Sequence, residues 1–131
     1  MAKIHQYAIM CAPTMSQAAG IKALRDGDDD IEYMKNDYDG RRKIIYEGLR
    51  QIGIDCFEPK GAFYVFPSIE KFGLSSYDFC ERLLFEEKVA IVPGDAFGES
   101  GEGFARICYA YSVPDINKAL EKIEKFVKKL K

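Results

Sequence analysis

A chain of 131 residues can bury one hydrophobic core of ordinary size and not two, so its helices and strands must share one body. Hydrophobic residues make up 47% and charged residues 31%, with 9 Phe and 8 Tyr, which suits such a core and excludes a disordered or collagen-like chain. The clearest element lies at the end. Ser112-Val-Pro-Asp115 supplies a cap and a proline for the first turn of a helix whose inner face is marked by Ile116, Leu120, Ile123, Val127 and Leu130.

Other segments show the same helical spacing. Cys11-Ala-Pro-Thr14 reads as a turn leading into a helix with Met15, Ala18, Ala19, Ala23 and Leu24, ended by Gly27 and three aspartates. A longer helix is expected from Asp30 to Ile52, its stripe formed by Met34, Tyr38, Ile45, Leu49 and Ile52 with Arg41 at the remaining register position, and Gly53 stops it. A third should start at Ser75 or Ser76 and bury Phe79, Cys80, Leu83 and Leu84.

Between them the period changes. Phe63-Tyr-Val-Phe66, bracketed by Pro59-Lys-Gly61 and Pro67, predicts a strand entered through a tight turn. Val89 to Val92 predicts a short strand stopped by Pro93-Gly94, and Phe104 to Tyr111 a third, although its polarity alternates poorly. These elements compose an α+β domain with three or four short strands covered on one side by helices.

Charge and cysteine usage remove several functions. The net charge is -2, without the basic field of a general nucleic-acid binder. Residues 118–131 do hold six lysines against two glutamates, but they crowd the end of a helix, where the dipole favours cations on a solvated face. Cys11, Cys56, Cys80 and Cys108 are 45, 24 and 28 residues apart and share one histidine, His5, so neither a zinc site nor a Cys-His or Ser-His-Asp mechanism is expected. Reduced, buried thiols in a cytoplasmic protein are expected instead. No apolar run approaches the length that spans a membrane, and the first residues lack the order of a signal peptide.

Ser68-Ile-Glu-Lys71 has the spacing of some acyl-transfer sites but follows a strand end and opens no helix, so it reads as coincidence. The glycine-rich stretch Gly94 to Gly103 lacks the lysine of a phosphate-binding loop and leads into a strand where a dinucleotide fingerprint would lead into a helix.

That stretch is similar to something else. Pro93-Gly94, Phe97-Gly98, Gly101, Gly103 and Arg106 follow the pattern PGxxFGxxGxxxxR, and Pro59-Lys-Gly-Ala-Phe-Tyr-Val-Phe-Pro67 follows PxGxFYxFP. With Lys3-Ile-His-Gln-Tyr7 and Cys11 to Gln17, these blocks resemble the pyridoxal-phosphate-dependent class I and II aminotransferases of the aspartate aminotransferase-like family, along essentially the whole chain. The resemblance implies residues 1–26 as an interdomain loop and the start of a connecting helix, and residues 27–131 as a C-terminal small domain with a mainly antiparallel sheet. It implies that Arg106 binds the α-carboxylate of amino acid and 2-oxo acid substrates, for which a planar guanidinium suits two parallel hydrogen bonds. In family dimers the segment matching Met10 to Gln17 approaches the neighbouring subunit's site, which would place Cys11, Ala12 or Thr14 beside a partner's pocket.

The same resemblance implies a missing part. The cofactor lysine, the acid at the pyridinium nitrogen and the phosphate cup belong to the family's large domain, and none of the 13 lysines here stands in a matching context. The expectation is a domain of a longer homodimeric transaminase, with Met1 interior to it, inactive alone, holding no cofactor and exposing apolar surface that favours self-association. A free-standing binding or assembly domain and a carbon-sulfur lyase on the same fold are the competing readings.

Overall fold

A computed structural model describes residues 1–8 and 11–130. Met10, which the sequence reading joined to the Cys11 turn, lies outside the described residues. The elements in chain order are α1 (Ala2–Ala8), α2 (Thr14–Asp26), α3 (Asp28–Ile52), β1 (Tyr64–Val65), α4 (Ser76–Glu87), β2 (Val92–Pro93), β3 (Ala105–Cys108) and α5 (Val113–Lys129), with short 3-10 turns at Glu70–Phe72, Gly94–Phe97 and Glu99–Gly101. The chain divides into two compact units, Met1–Asn36 and Asp37–Lys131, which corrects the expectation that all its helices and strands share one body.

Unit one is helical and buries none of its described side chains. Ile4, Tyr7, Met15, Ile21, Leu24, Ile31 and Met34 are all exposed. The helical spacing of Met15 through Leu24 was therefore sufficient to predict α2 but not to place its apolar residues inside a core. The same holds for Met34 at the start of α3, whereas further along the same stripe Ile45 and Leu49 are buried. Helix α1 carries too short and too mixed a sequence to show a period, and the sequence reading, whose first helix begins after the Cys11 turn, did not find it.

Unit two carries the sheet. Strand β3 is central, pairing antiparallel with β1 through Tyr64↔Cys108 and Val65↔Ile107, and with β2 through Val92↔Arg106 and Pro93↔Ala105. The three-stranded antiparallel sheet with its helices is the α+β fold expected. The predicted Val89–Val92 strand is shifted: pairing begins only at Val92 and takes in Pro93, whose missing N–H is tolerated on an edge strand. Ala105, Ile107 and Tyr109 are buried while Phe104, Arg106 and Cys108 are half-buried. The alternation is thus clean in space, and it looked poor in sequence because Phe104 and Cys108 do not contrast in polarity with their inward neighbours.

The core joins Ile45 and Leu49 of α3, Val65, Ile69, Phe79 and Leu83, and the α5 residues Ile116, Leu120, Ile123, Phe126 and Val127. Phe126 was missed in the helical stripe, and Leu84, placed inside it, is 42% exposed. The buried face of α5 is wider than one narrow stripe because Phe126 also meets α4, edge-on to Phe79 with centroids 5.2 Å apart. The thiols follow no single rule either. Cys80 is buried, Cys56 and Cys108 are intermediate and Cys11 is exposed, which corrects the expectation of four buried thiols. Burial pushes the Cys80 thiol up to about 12, so it stays protonated and inert.

Helices α4 and α5 are also tied by charge. The buried Glu87 carboxylate accepts from Lys129 Nζ at 2.6 Å and Lys125 Nζ at 2.9 Å. Those hydrogen bonds, Lys129 first, hold the Glu87 carboxyl below the usual carboxylate range. A lowered pKa in the folded state means that the contribution is complete above the ordinary glutamate pKa and disappears as pH falls through the folded value. Thermal unfolding should accordingly show Glu87→Gln less stable than the parent sequence at pH 7, with the gap narrowing towards pH 3; a gap that is constant with pH would contradict the ion-pair account.

Candidate functional site

Arg106 projects from the central strand on the face opposite Ala105 and Ile107. Its Cζ lies 4.4 Å from the ring centroid of Tyr64 on β1 and 4.1 Å from that of Phe97 in the turn after β2. Both distances fall within the range of favourable cation–π contact. Three other arginines are held by ion pairs: Arg41 by Asp37, Arg42 by Asp39 and Glu58, and Arg82 by Glu86. Among the described residues no carboxylate lies within 4.0 Å of the Arg106 guanidinium. A groove of about 620 Å³ passes it, bordered by Tyr64, Ile91, Val92, Cys108 and the α5 residues Ile116 and Ala119. A half-buried cation with aromatic support, no internal acid and an adjoining groove is equipped to receive a carboxylate from outside.

The glycine-rich stretch sets this geometry from below. Gly94 and Gly101 are both buried and pack backbone to backbone, so a Cβ on either would run into the carbonyl of the other. Gly94 N–H donates to Phe104 O at 2.9 Å, which fastens the start of the loop to the strand carrying Arg106. Between them Gly98, at φ +125, turns the chain directly after Phe97 in a conformation that side chains disfavour. The loop is also pinned to α4. Gly103 N–H donates to the fully buried Ser76 hydroxyl at 2.9 Å, and Ser76 N–H donates to the Glu102 carboxylate at 2.9 Å. A carboxylate over a helix N-terminus meets an unpaired N–H and the positive end of the dipole.

The strand motif is placed beside this site. In Pro59 to Pro67, Val65 and Pro67 point into the core, Tyr64 supports Arg106, and Phe66 stacks on Phe104 with centroids 5.5 Å apart while meeting Phe97 edge-on at 6.3 Å. The tight turn before it contains Ala62 at φ +58, and Tyr109 Oη donates to the Ala62 carbonyl at 2.9 Å. The supporting roles of Tyr64 and Phe97 were not read from the sequence, where Tyr64 stood only in a predicted strand and Phe97 only in the glycine-rich motif. Their position within the two motifs was the available signal. Cys11, Ala12 and Thr14 are exposed, and Gln17 Nε2 donates to Ala12 O at 2.7 Å to close the entry turn of α2. Ser68 and Lys71 make no common site: Ser68 Oγ reaches Gly103 O at 3.5 Å, and Lys71 pairs with Asp55 at 3.8 Å. No group of His, Cys, Asp and Glu suited to a metal ion occurs among the described residues, and none of their helices is long and apolar enough to cross a membrane.

Gly101→Ala should destabilise the fold by about 2–4 kcal/mol in urea unfolding, because the new methyl meets backbone that cannot move aside. Gly61→Ala, with open space around its Cβ, should change stability by less than about 0.5 kcal/mol. Equal effects at the two positions would contradict the packed-loop account.

The chain matches the family described as aminotransferase class I and II over residues 1–123. YugH of Bacillus subtilis (strain 168), whose own name assigns it only provisionally as an aminotransferase, is 50% identical over 129 residues, covering 98% of this chain and 33% of the relative. An aspartate aminotransferase of Pyrococcus abyssi (strain GE5 / Orsay) is 43% identical over 133 residues, covering 100% of this chain and 34% of the relative. The crystal structure of an aromatic aminotransferase from Pyrococcus horikoshii OT3 superposes with a TM-score of 0.94 at 42% identity, covering 98% of this chain and 36% of that one. The chain therefore spans about a third of the length of the relatives it matches. A match that takes in residues 1–123 of the 131 shows that the chain belongs to the class I and II aminotransferase family.

Proposed function

We propose that this chain is the C-terminal small domain of a pyridoxal-phosphate-dependent aminotransferase, with residues 1–26 forming the connecting segment and 27–131 the domain proper. The parent exchanges an amino group between an amino acid and a 2-oxo acid. Arg106 takes the α-carboxylate that both substrates share. The observation that carries this reading is the unpaired Arg106 guanidinium beside its groove, set by the loop from Gly94 to Gly103. A guanidinium can hold a carboxylate through two parallel hydrogen bonds, fixing the orientation of Cα as well as its position. Because the α-carboxylate is common to all amino acids, Arg106 supports binding of donor and acceptor without choosing the side chain.

Pyridoxal phosphate needs a lysine for its aldehyde, an acid for its ring nitrogen and a cup for its phosphate. The described residues of this chain do not fit that set. Among the described residues no lysine is buried, and Lys125 and Lys129 are taken up by the buried Glu87 carboxylate. Cofactor binding is accordingly assigned to the remainder of the parent, and closure of this domain over the substrate to Arg106 and its supports. The parent acts as a cytoplasmic homodimer in which the exposed turn Cys11 to Thr14 approaches the neighbouring site.

The test is Arg106→Ala in the full-length parent. The expected result is a loss of at least about a hundredfold in kcat/KM for every amino donor, the scale of removing one partner of a charged hydrogen-bonded pair. Arg106→Lys should recover only part of it, since an ammonium cannot match both carboxylate oxygens in one plane. Unchanged kcat/KM for all donors would remove Arg106 from the site, and ammonia release in place of amino transfer would favour a lyase.

A further inference from the structure

Phe97 is half-exposed, at 51%, yet its position is closely determined. Gly98 reverses the chain immediately after it, the Gly94–Gly101 contact closes the turn that bears it, and Phe66, itself stacked on Phe104, meets its ring edge-on. A large apolar side chain so exposed adds little to the core. What its ring does meet is the Arg106 guanidinium, with Cζ 4.1 Å from the centroid, closer than Tyr64 at 4.4 Å.

From this we infer that Phe97 is a positioning residue for substrate binding: with Tyr64 it fixes the plane of the Arg106 guanidinium so that its free N–H edge meets the substrate carboxylate. The inference rests on the proposed role of Arg106. A free arginine side chain carries substantial rotamer entropy, which would be lost each time a carboxylate docks bidentately. Contact through Cζ with two aromatic rings removes that freedom beforehand while leaving the N–H groups at the rim of the guanidinium for hydrogen bonding. The Phe97 ring also brings no competing oxygen. An acid in the place of Phe97 would fix Arg106 equally well but would occupy the donors the substrate needs.

The consequence concerns binding more than turnover. The carboxylate contact is present in both ground state and transition state, so weakening its preorganisation raises KM and leaves kcat nearly unchanged. Donor and acceptor should be affected alike, because both bring the same group.

The experiment is Phe97→Leu in the full-length parent holoenzyme, with Phe97→Tyr as the conservative variant. Phe97→Leu should raise KM for the amino acid and for the 2-oxo acid by roughly five- to tenfold, with kcat within about twofold. The dissociation constant of a 2-methyl amino acid, which binds but has no α-proton to lose, should rise by the same factor in a spectral titration. Phe97→Tyr should restore both. In an Arg106→Ala background Phe97→Leu should add nothing, since there is no guanidinium left to orient. Unchanged KM and dissociation constant in Phe97→Leu beside an impaired Arg106→Ala enzyme would overturn the inference alone. An unimpaired Arg106→Ala enzyme would overturn the reading it rests on, and the inference with it.

Discussion

Strand β3 is hydrogen-bonded on both edges, and the alternation of its side chains governs the rest of unit two. Ala105 and Ile107 must face inward to close the core against α5, so Arg106 must face outward one register position away. A slip of one residue would bury the guanidinium and expose two core side chains. Two antiparallel neighbours and the hydrophobic face together make that slip very costly. The fold thereby places a cation at a fixed height on the sheet with no acid of its own.

What the sheet leaves open, the loop before β3 decides. The close backbone approach of Gly94 and Gly101 and the clamp formed by Ser76, Glu102 and Gly103 connect the loop to α4, whose other end is joined to α5 through Glu87. Packing of the helices, geometry of the glycine loop and orientation of Arg106 are therefore links of one chain. The glycines themselves need not touch a ligand. Their contribution is to let the backbone pass close enough for Phe97 to lie over the guanidinium.

Much of this was legible in the sequence, and the exceptions have physical causes. Helices α3, α4 and α5 followed from their apolar period, Ser112 was read as one cap and Ser75 or Ser76 as another, and Ser75 and Ser112 accept the backbone N–H three residues on, from Asp78 and Asp115. The strands were harder, because two-residue pairings such as Tyr64–Val65 and Val92–Pro93 are shorter than the window in which alternation can be recognised. Arg106 was singled out through its motif and not through any property of arginine. Its aromatic supports escaped notice because Tyr64 and Phe97 are separated in sequence, and the pairing of β1 and β2 with β3 is what brings them to one guanidinium. The apolar residues of α2 keep a helical spacing, but periodicity reports that a face is apolar and not what covers it.

The central claim is that Arg106, held by two rings, receives the carboxylate common to amino acid and 2-oxo acid. Its most direct measurement is a crystal structure of the full-length parent with a bound 2-oxo acid. The account predicts both carboxylate oxygens within about 3 Å of two guanidinium nitrogens of Arg106, with the Tyr64 and Phe97 rings still against its Cζ. A substrate carboxylate held by another cation, with Arg106 paired to an acid of the protein, would contradict it.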